Sequence, residues 1–412
     1  MAKANPAESG IHSVPRWANV GLILPGGGAR AAYQVGVLRA IARIVPRGGP
    51  SPFTVISGTS AGAINAAAVA AYADRFSAGV SALNSVWRNF TADQVYRTDA
   101  WSMLKASLHW MASILTGGLL GPLNPRSLLD NSPLWQLLEE RIPLHRIQSN
   151  LAAGYLRAVA VNLSSYHSAR SVCFFQSRDG VGEWYRSRRA GIRASLNVEH
   201  LVASAAVPMI FPAVRLGDQY YGDGAMRQQS PLSPAIHMGA QRLLVIGVRD
   251  EKTHGGPIPR HPERPSLGQI AGYMLDTIFM DGLYTDLERV TRINQLLEQV
   301  QTPGLSSEIQ HLRRVETLLI LPSQNIRELA AEHAGSLPLP VRLLLRGVGA
   351  SAEGEGQLLS YLLFEKSFTR ALIRMGHDDA MARRDHIEAL LRGEPMPMLD
   401  APQEVAGDLS GQ

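Results

Sequence analysis

Short apolar, β-branched runs alternate with alanine-rich or amphipathic stretches in the first part of the chain. Residues 20–24 and 53–57 have the pattern of buried strands. Residues 31–44 place apolar side chains at helical spacing, and residues 61–71 are mainly alanine, the strongest helix former. Strands that alternate with helices in this way predict a mostly parallel sheet with helices on both faces, a three-layer α/β/α fold.

The later pattern adds strands and then a helical region. We predict a helix at 81–90, strands at 159–163, 171–175 and 243–248, helical stretches at 267–297 and 356–391, and one further strand at 317–321. The Pro-rich, charged run at 250–265 predicts a surface loop or hinge. The predicted division is a disordered lead-in at 1–18, an α/β domain at 19–248, a mainly helical extension at 249–398 that packs on the core and adds one strand, and a loose tail at 399–412.

A serine stands where the second predicted strand meets its helix. The string Gly58-Thr59-Ser60-Ala61-Gly62 has the form of a nucleophile elbow, in which small flanking residues allow a tight turn and leave the serine oxygen accessible. The start of the following helix carries partial positive charge, which favours a developing oxyanion. Ser60 is therefore a candidate nucleophile.

A glycine cluster follows the first predicted strand. Gly26-Gly27-Gly28-Ala29-Arg30 precedes a helix, so its backbone N–H groups are suited to hold an anion. A dinucleotide site would need an acidic residue about 20 positions later, yet none occurs between Glu8 and Asp74. A phosphate-binding P-loop would need Gly-Lys-Ser/Thr, which is also missing. We therefore expect no nucleotide and interpret the loop as an oxyanion hole for Ser60.

An acidic residue between two glycines supplies a candidate base. Gly222-Asp223-Gly224-Ala225 follows a short strand-like run, and by itself such a string is typical of a turn. Beside the other two motifs, we interpret Asp223 as the general base that accepts the proton of Ser60.

The three motifs in this order resemble the patatin-like phospholipase family, whose pattern is a Gly-Gly-Gly-x-Arg/Lys loop, Gly-x-Ser-x-Gly and Asp-Gly-Ala/Gly. Further segments at 129–134 and 203–212 resemble it as well, and 359–364 is similar to bacterial members with a helical C-terminal extension. The resemblance covers about residues 19–248 and implies the patatin-like form of the α/β/α fold.

The resemblance implies a serine lipid acyl hydrolase, a carboxylic ester hydrolase that acts on phospholipids, lysophospholipids or other acyl-ester lipids through an acyl-enzyme. It implies a Ser60–Asp223 dyad without histidine, an oxyanion hole formed by the backbone of Gly26, Gly27, Gly28, Ala29 and Arg30, and supporting roles for Gly58, Gly62, Gly222, Gly224 and Ala225. Burial would have to raise the pKa of Asp223, since a free carboxylate is a weak base. Arg30 has two interpretations, contact with a lipid phosphate or the oxyanion region, and bracing of the loop by hydrogen bonds to carbonyls.

Three alternatives stay open. A Ser-His-Asp hydrolase would use one of the downstream histidines, of which His237, His254 and His261 come nearest in order. An acyltransferase would share the acyl-enzyme and pass the acyl group to an acceptor other than water. A lipid-binding protein without catalysis would not need all three motifs.

The composition limits which binding partners, and which cellular location, we expect for the protein. The single cysteine, Cys173, excludes a disulfide framework, and without a His-Glu-x-x-His string we predict no metal and no cofactor. The net charge of +5 comes without a nucleic-acid-reading module, so we expect no nucleic acid. Residues 1–14 lack the apolar core of a signal peptide, and no stretch is long and apolar enough to span a membrane. We expect a cytoplasmic protein, with peripheral contact at a membrane left open.

One apolar stretch permits two readings. Residues 101–120 carry Trp, Met, Leu and Ile with few polar breaks. They predict either a core helix or a lid that dips into a bilayer beside the site.

Overall fold

The computed structural model describes residues 19–99, 127–178, 180–250, 266–299, 313–347 and 356–397, with Arg264 and isolated positions between 101 and 116. Within these residues, ten strands form one mixed sheet that is flanked by helices. The predicted three-layer α/β/α class is confirmed. The lead-in at 1–18, most of the 250–265 run and the tail at 399–412 lie outside the described residues.

We number the elements in chain order. The strands are β1 Val20–Leu24, β2 Phe53–Thr59, β3 Ala158–Ser165, β4 Ser171–Ser177, β5 Trp184–Tyr185, β6 Arg189–Arg193, β7 Val214–Leu216, β8 Gln219–Asp223, β9 Arg242–Ile246 and β10 Glu316–Ile320. The helices in the first half are α1 Ala32–Ile44, α2 Ala61–Ala71, α3 Phe76–Arg88, α4 Ser132–Arg141, α5 His145–Ala153 and α6 Val198–Ser204. They are followed by α7 Ser233–His237, α8 Leu267–Asp276, α9 Gly282–Gln299, α10 Ile326–Glu332, α11 Leu339–Gly347, α12 Gly356–Leu362, α13 Lys366–Ala382 and α14 Arg384–Arg392.

The strand order is β10-β9-β1-β2-β3-β4-β6-β5, and β8 pairs with both β3 and β7. The pairs from β10 to β3 are parallel, whereas β4 and β8 run antiparallel to β3. Every residue of β1 and β3 is buried, as expected for strands covered on both faces. This arrangement places the carboxyl ends of β1 and β2 at one edge of the sheet.

Two predicted helical stretches are divided in the structure. The 267–297 stretch contains a π-helical turn at Thr277–Asp281 between α8 and α9. Such a turn inserts a residue into the helix and often occurs at functional sites. The 356–391 stretch breaks into α12, α13 and α14. Helical periodicity could not show these breaks, because each piece keeps its own apolar face toward the core.

The residues after 249 pack closely on the first part of the chain. β10 extends the sheet in parallel with β9. α1 and α13 approach each other through glycines, since a Cβ on Gly36 would lie 2.3 Å from the carbonyl oxygen of Ile373 and one on Gly376 would lie 2.2 Å from that of Tyr33. Among the described helices, none has the length and apolar character needed to cross a membrane.

Candidate active site

Strand register brings the three sequence motifs together. Leu24, which ends β1, pairs with Gly58 of the elbow, and Thr59 pairs with Asn162 of β3. The next residue of β3, Leu163, pairs with Asp223. The glycine loop, Ser60 and Asp223 therefore meet at one edge of the sheet.

Ser60 lies in a strained turn between β2 and α2. Its φ of 55° and ψ of −132° are unusual for a residue with a side chain, and such a conformation costs about 1–3 kcal/mol. The elbow glycines make the turn possible, because a Cβ on Gly62 would lie 2.1 Å from the Leu24 carbonyl oxygen and one on Gly58 would lie 2.4 Å from that of Gly62. Ser60 lines an apolar cavity.

The glycine loop lies directly against Ser60. A Cβ on Gly26 would be 2.9 Å from the Ser60 Cβ, so no larger residue permits this approach. Within the described residues, the backbone N–H groups of Gly26 and Gly27 donate no hydrogen bond. The N–H of Arg30, by contrast, donates to the Gly27 carbonyl at 3.1 Å. The glycine N–H groups are therefore available for an anion, whereas that of Arg30 is already engaged.

Asp223 is a buried carboxylate with one free oxygen. Only 1% of its surface is exposed, and its Oδ1 accepts the Ala225 N–H at 2.9 Å. Its Oδ2 is buried and has no hydrogen-bond partner among the described residues. Burial raises the pKa of Asp223 from 3.8 to about 7. The Ala225 amide and the Ser60 hydroxyl, which is close to the carboxylate but outside hydrogen-bonding geometry, lower this pKa by smaller amounts. Near neutral pH this carboxyl can therefore both accept and return a proton.

Arg30 braces the loop and does not face the cavity. It is 1% exposed, its Nη1 donates to Asp276 at 3.0 Å, and its Nε donates to Ser360 at 2.8 Å. Of its four hydrogen-bond acceptors, one is a backbone carbonyl, that of Gln357 at 3.4 Å. The bracing interpretation fits this geometry, although the partners are mainly side chains rather than the expected carbonyls.

Two polar residues that our sequence analysis did not single out support the elbow. Asn162 Nδ2 donates to the Gly58 carbonyl at 3.0 Å, and the Ser204 hydroxyl donates to the Asn162 carbonyl at 2.7 Å. The same Ser204 oxygen accepts the N–H of Ser60 at 2.9 Å. A polar residue inside the apolar run at 158–163 was the signal for Asn162, because a buried amide requires partners.

An apolar cavity opens at Ser60 between three helices. About 1010 Å³ of space is free of atoms, part of it open to solvent. Its walls carry apolar side chains of α2, α3 and α4, and Arg141 is the one charged residue among the described lining residues. Along α2 the lining positions are Ser60, Ala61, Ile64, Ala68 and, just past the helix, Tyr72. These positions share one helix face, so the cavity runs from the serine along α2.

A sequence model of the patatin-like phospholipases matches residues 22–236, just over half of the chain. The chain belongs to the patatin-like phospholipase family. Family membership supports lipid acyl hydrolysis as the general activity of this patatin-like protein. None of the curated proteins matches the chain by sequence.

The solved structures that match the chain include two bacterial proteins and a human phospholipase. VipD from Legionella pneumophila is 12% identical, with a TM-score of 0.32, over 90% of this chain and 67% of its own. Human GIVD cytosolic phospholipase A2, bound to methyl γ-linolenyl fluorophosphonate, is 14% identical, with a TM-score of 0.40. The match covers 91% of this chain and 59% of the human enzyme. ExoU of Pseudomonas aeruginosa, in complex with SpcU, is 13% identical, with a TM-score of 0.25. The match covers 91% of this chain and 78% of the matched chain. The patatin-like chain thus spans less than two thirds of the human enzyme's length.

The other predicted candidates lie away from this site or outside the described residues. His237 stacks on Trp184 with ring centroids 4.9 Å apart, and no described histidine lines the cavity at Ser60. His254 and His261 are not among the described residues. Cys173 is buried within β4, where burial raises the pKa of its thiol.

Two further expectations concern a metal and the 101–120 stretch. Among the described residues, no group of three potential metal-ligating side chains occurs. Most of the 101–120 stretch lies outside the described residues, so its core or lid role stays a prediction. Three large apolar side chains among its described positions are exposed, those of Trp101, Leu108 and Leu115.

Proposed function

We propose that this patatin-like protein is a serine lipid acyl hydrolase that cleaves carboxylic esters through a Ser60–Asp223 dyad. The observation that carries the proposal is the apolar cavity that opens at Ser60. Its lining is suited to a hydrocarbon chain, because each methylene buried from water contributes about 0.8 kcal/mol.

The geometry supports a two-step mechanism. As the Ser60 oxygen attacks the ester carbonyl carbon, its proton passes to Asp223, whose Oδ2 is free to accept it. Backbone N–H groups of Gly26 and Gly27 stabilise the oxyanion, and the protonated Asp223 then gives the proton to the leaving alcohol. Water attacks the resulting acyl-enzyme while Asp223 takes its proton. Ser60 then regains a proton as the fatty acid leaves.

The pKa of Asp223 suits both halves of this cycle. A carboxylate with a pKa near 4 would accept the serine proton only weakly, whereas a pKa of about 7 brings it close to the working pH. Because burial makes Asp223 a stronger base, this carboxylate can serve as the general base, a role that histidine has in many serine hydrolases. Removal of one oxyanion donor typically costs about 3 kcal/mol, so we expect the glycine loop to matter nearly as much as the dyad.

A membrane or micelle surface would present the lipid substrate, and we propose peripheral contact with it. Leu108 and Leu115, which are 54% and 80% exposed, are candidates for such contact. Exposed leucines gain free energy when they enter the interface between water and lipid.

The test compares wild type, Ser60→Ala, Asp223→Asn and His237→Ala on p-nitrophenyl acyl esters, with a fluorophosphonate probe for the nucleophile. We expect labelling and turnover to be lost in Ser60→Ala, turnover to be lost in Asp223→Asn, and both to persist in His237→Ala. Collapse of the histidine variant would replace the dyad with a triad. A folded wild type that is neither labelled nor active would refute the hydrolase.

Product analysis with an added acceptor alcohol completes this test. Release of free fatty acid supports hydrolysis, whereas transfer of most acyl groups to the alcohol would make the protein an acyltransferase that uses the same acyl-enzyme.

A further inference from the structure

The glycine loop beside Ser60 is held by residues that lie beyond the family match, which ends at residue 236. Arg30, the last residue of the loop, donates to Asp276 at the end of α8 and to Ser360 on α12, at 3.0 and 2.8 Å. Its Nη1 also donates to the Tyr361 hydroxyl at 3.2 Å. The loop is thus tied to the C-terminal part of the chain by several directed bonds.

Asp276 is the centre of this buried cluster. Its residue is 2% exposed, and besides Arg30 its Oδ1 accepts the hydroxyl of Tyr361. Its Oδ2 accepts the side-chain amide of Gln357 at 2.6 Å and the guanidinium of Arg327. Burial by itself would raise the pKa of Asp276, but Arg30, Tyr361 and Arg327 outweigh it, so the net pKa is lowered and the carboxylate stays charged.

The same elements contact the loop backbone directly. A Cβ on Gly28 would lie 2.3 Å from the Tyr361 carbonyl oxygen, and one on Gly26 would lie 2.5 Å from the Phe279 ring. Phe279, in the π-helical turn, stacks on Tyr361 with ring centroids 5.2 Å apart. The guanidinium carbon of Arg30 lies 3.9 Å from the centroid of the Tyr361 ring. The loop therefore rests on a surface formed by α12 and the π-helical turn.

We propose that Asp276 is a positioning residue of the active site, which holds Arg30 and thereby sets the glycine N–H groups against Ser60. The inference rests on the proposed function, because it assigns the loop its role as oxyanion hole. A displacement of about 1 Å at a reacting centre can lower the rate by about 10²-fold. The C-terminal extension would then be part of the catalytic machinery.

The principal variant is Asp276→Asn, which keeps the size of the side chain and removes its charge. We expect kcat on a soluble short-chain ester to fall by about 10- to 100-fold with KM within about threefold, since the oxyanion forms only during reaction. The rate constant of fluorophosphonate labelling should fall by a similar factor, because that reaction also develops charge on oxygen. A role in stability alone would lower the folded fraction and leave these constants unchanged per folded molecule.

The matched control is Asp286→Asn. Asp286 is also buried, accepts the Leu232 N–H at 3.0 Å and pairs with Arg289 at 3.4 Å. Its hydrogen-bond and ion-pair partners among the described residues do not include the glycine loop, so we expect the kcat of this variant per folded molecule to stay within about twofold of wild type. Near-ultraviolet circular dichroism measures the folded fraction of each variant.

If Asp276→Asn fails to fold, Tyr361→Phe tests the same positioning role. It keeps the ring that stacks on Phe279 and removes the hydroxyl that contacts Arg30 and Asp276. We expect about a 3- to 10-fold lower kcat, since the hydroxyl loses its hydrogen bonds to two charged groups while Arg30 and Asp276 stay paired with each other. Wild-type kcat per folded molecule in both cluster variants, or an equal loss in Asp286→Asn, would overturn this inference alone. A wild type without turnover or labelling would overturn the proposed function as well.

Discussion

Replacing Ala68 with phenylalanine should shorten the acyl chain that the enzyme accepts. Ala68 lines the cavity two turns along α2 from Ser60, and 6% of it is exposed. A phenyl ring at this position would project into the space between α2 and the facing helices. Chains that end before Ala68 should bind as in wild type, and longer chains should meet the ring.

Helix geometry gives the expected lengths. At about 1.5 Å rise per residue, Ala68 lies about 12 Å and Tyr72 about 18 Å along the helix axis from Ser60. An extended chain advances about 1.25 Å per methylene, from a C–C bond of about 1.52 Å at a tetrahedral angle. Wild type should therefore accommodate about 14 carbons in this cavity, and Ala68→Phe about 10.

The magnitude follows from the methylenes that are lost. About four methylenes at about 0.8 kcal/mol each amount to about 3 kcal/mol, which corresponds to about a 200-fold fall in kcat/KM for a 14-carbon ester. This is an upper value, because the chain can bend and because a micelle already shields it from water. Esters of four to eight carbons should change by less than about threefold, since they end before the ring.

The assay is hydrolysis of p-nitrophenyl esters of 4 to 16 carbons at a constant mole fraction in mixed micelles. Ser81→Phe is the matched control, because it places the same ring on an exposed position of α3 that does not line the cavity. An equal loss at every chain length, or unchanged activity toward the 14-carbon ester, would refute the assignment of this cavity to the acyl chain.

Four further predictions concern the base, the elbow and the exposed Leu115. For wild type, kcat/KM should rise with pH through an apparent pKa of about 7, and a profile that rises near pH 4 would contradict the burial of Asp223 as its cause. Because the folded-state pKa lies above the ordinary 3.8, the stability that the protonated carboxyl contributes is present below about pH 4 and is lost as the pH rises to about 7. In urea unfolding at pH 8, Asp223→Asn should therefore be more stable than wild type by up to the order of 4 kcal/mol. Equal stability would contradict the proposal that the buried, charged Asp223 destabilises the folded state. Ser60→Gly should exceed Ser60→Ala in free energy of unfolding by about 1–2 kcal/mol, because glycine relieves the positive φ, and the opposite order would show that the turn is unstrained. Leu115→Glu should keep hydrolysis of soluble short-chain esters and reduce activity on phospholipid vesicles, whereas an equal loss in both assays would remove this residue from the proposed lipid contact.

Local sequence patterns were sufficient to predict most strands of the sheet and the positions of the candidate reacting groups, but not the strands at 184–185, 189–193 and 214–216. Strand, glycine turn and helix are recognisable within about 15 residues, and parallel strands bring their carboxyl ends to one edge of a sheet. The elbow at Ser60 and the loop at Gly26 were therefore predictable before any contact was known. The predicted helix at 81–90 instead spans 76–88, because element ends depend on packing that a periodic pattern does not record.

The state of the site depends on residues that are far apart in the chain. The pKa of Asp223 is raised by burial, and the local sequence does not show which carboxylate is removed from solvent when the chain folds. Arg30 looked equally suited to a lipid phosphate, until the structure placed Asp276, 246 positions later, against its guanidinium. The sequence by itself thus determined the elements and the chemical groups, whose patterns are local. Tertiary packing decided the charge of Asp223, the partner of Arg30 and the course of the cavity, because each depends on which distant side chains exclude water from the same space.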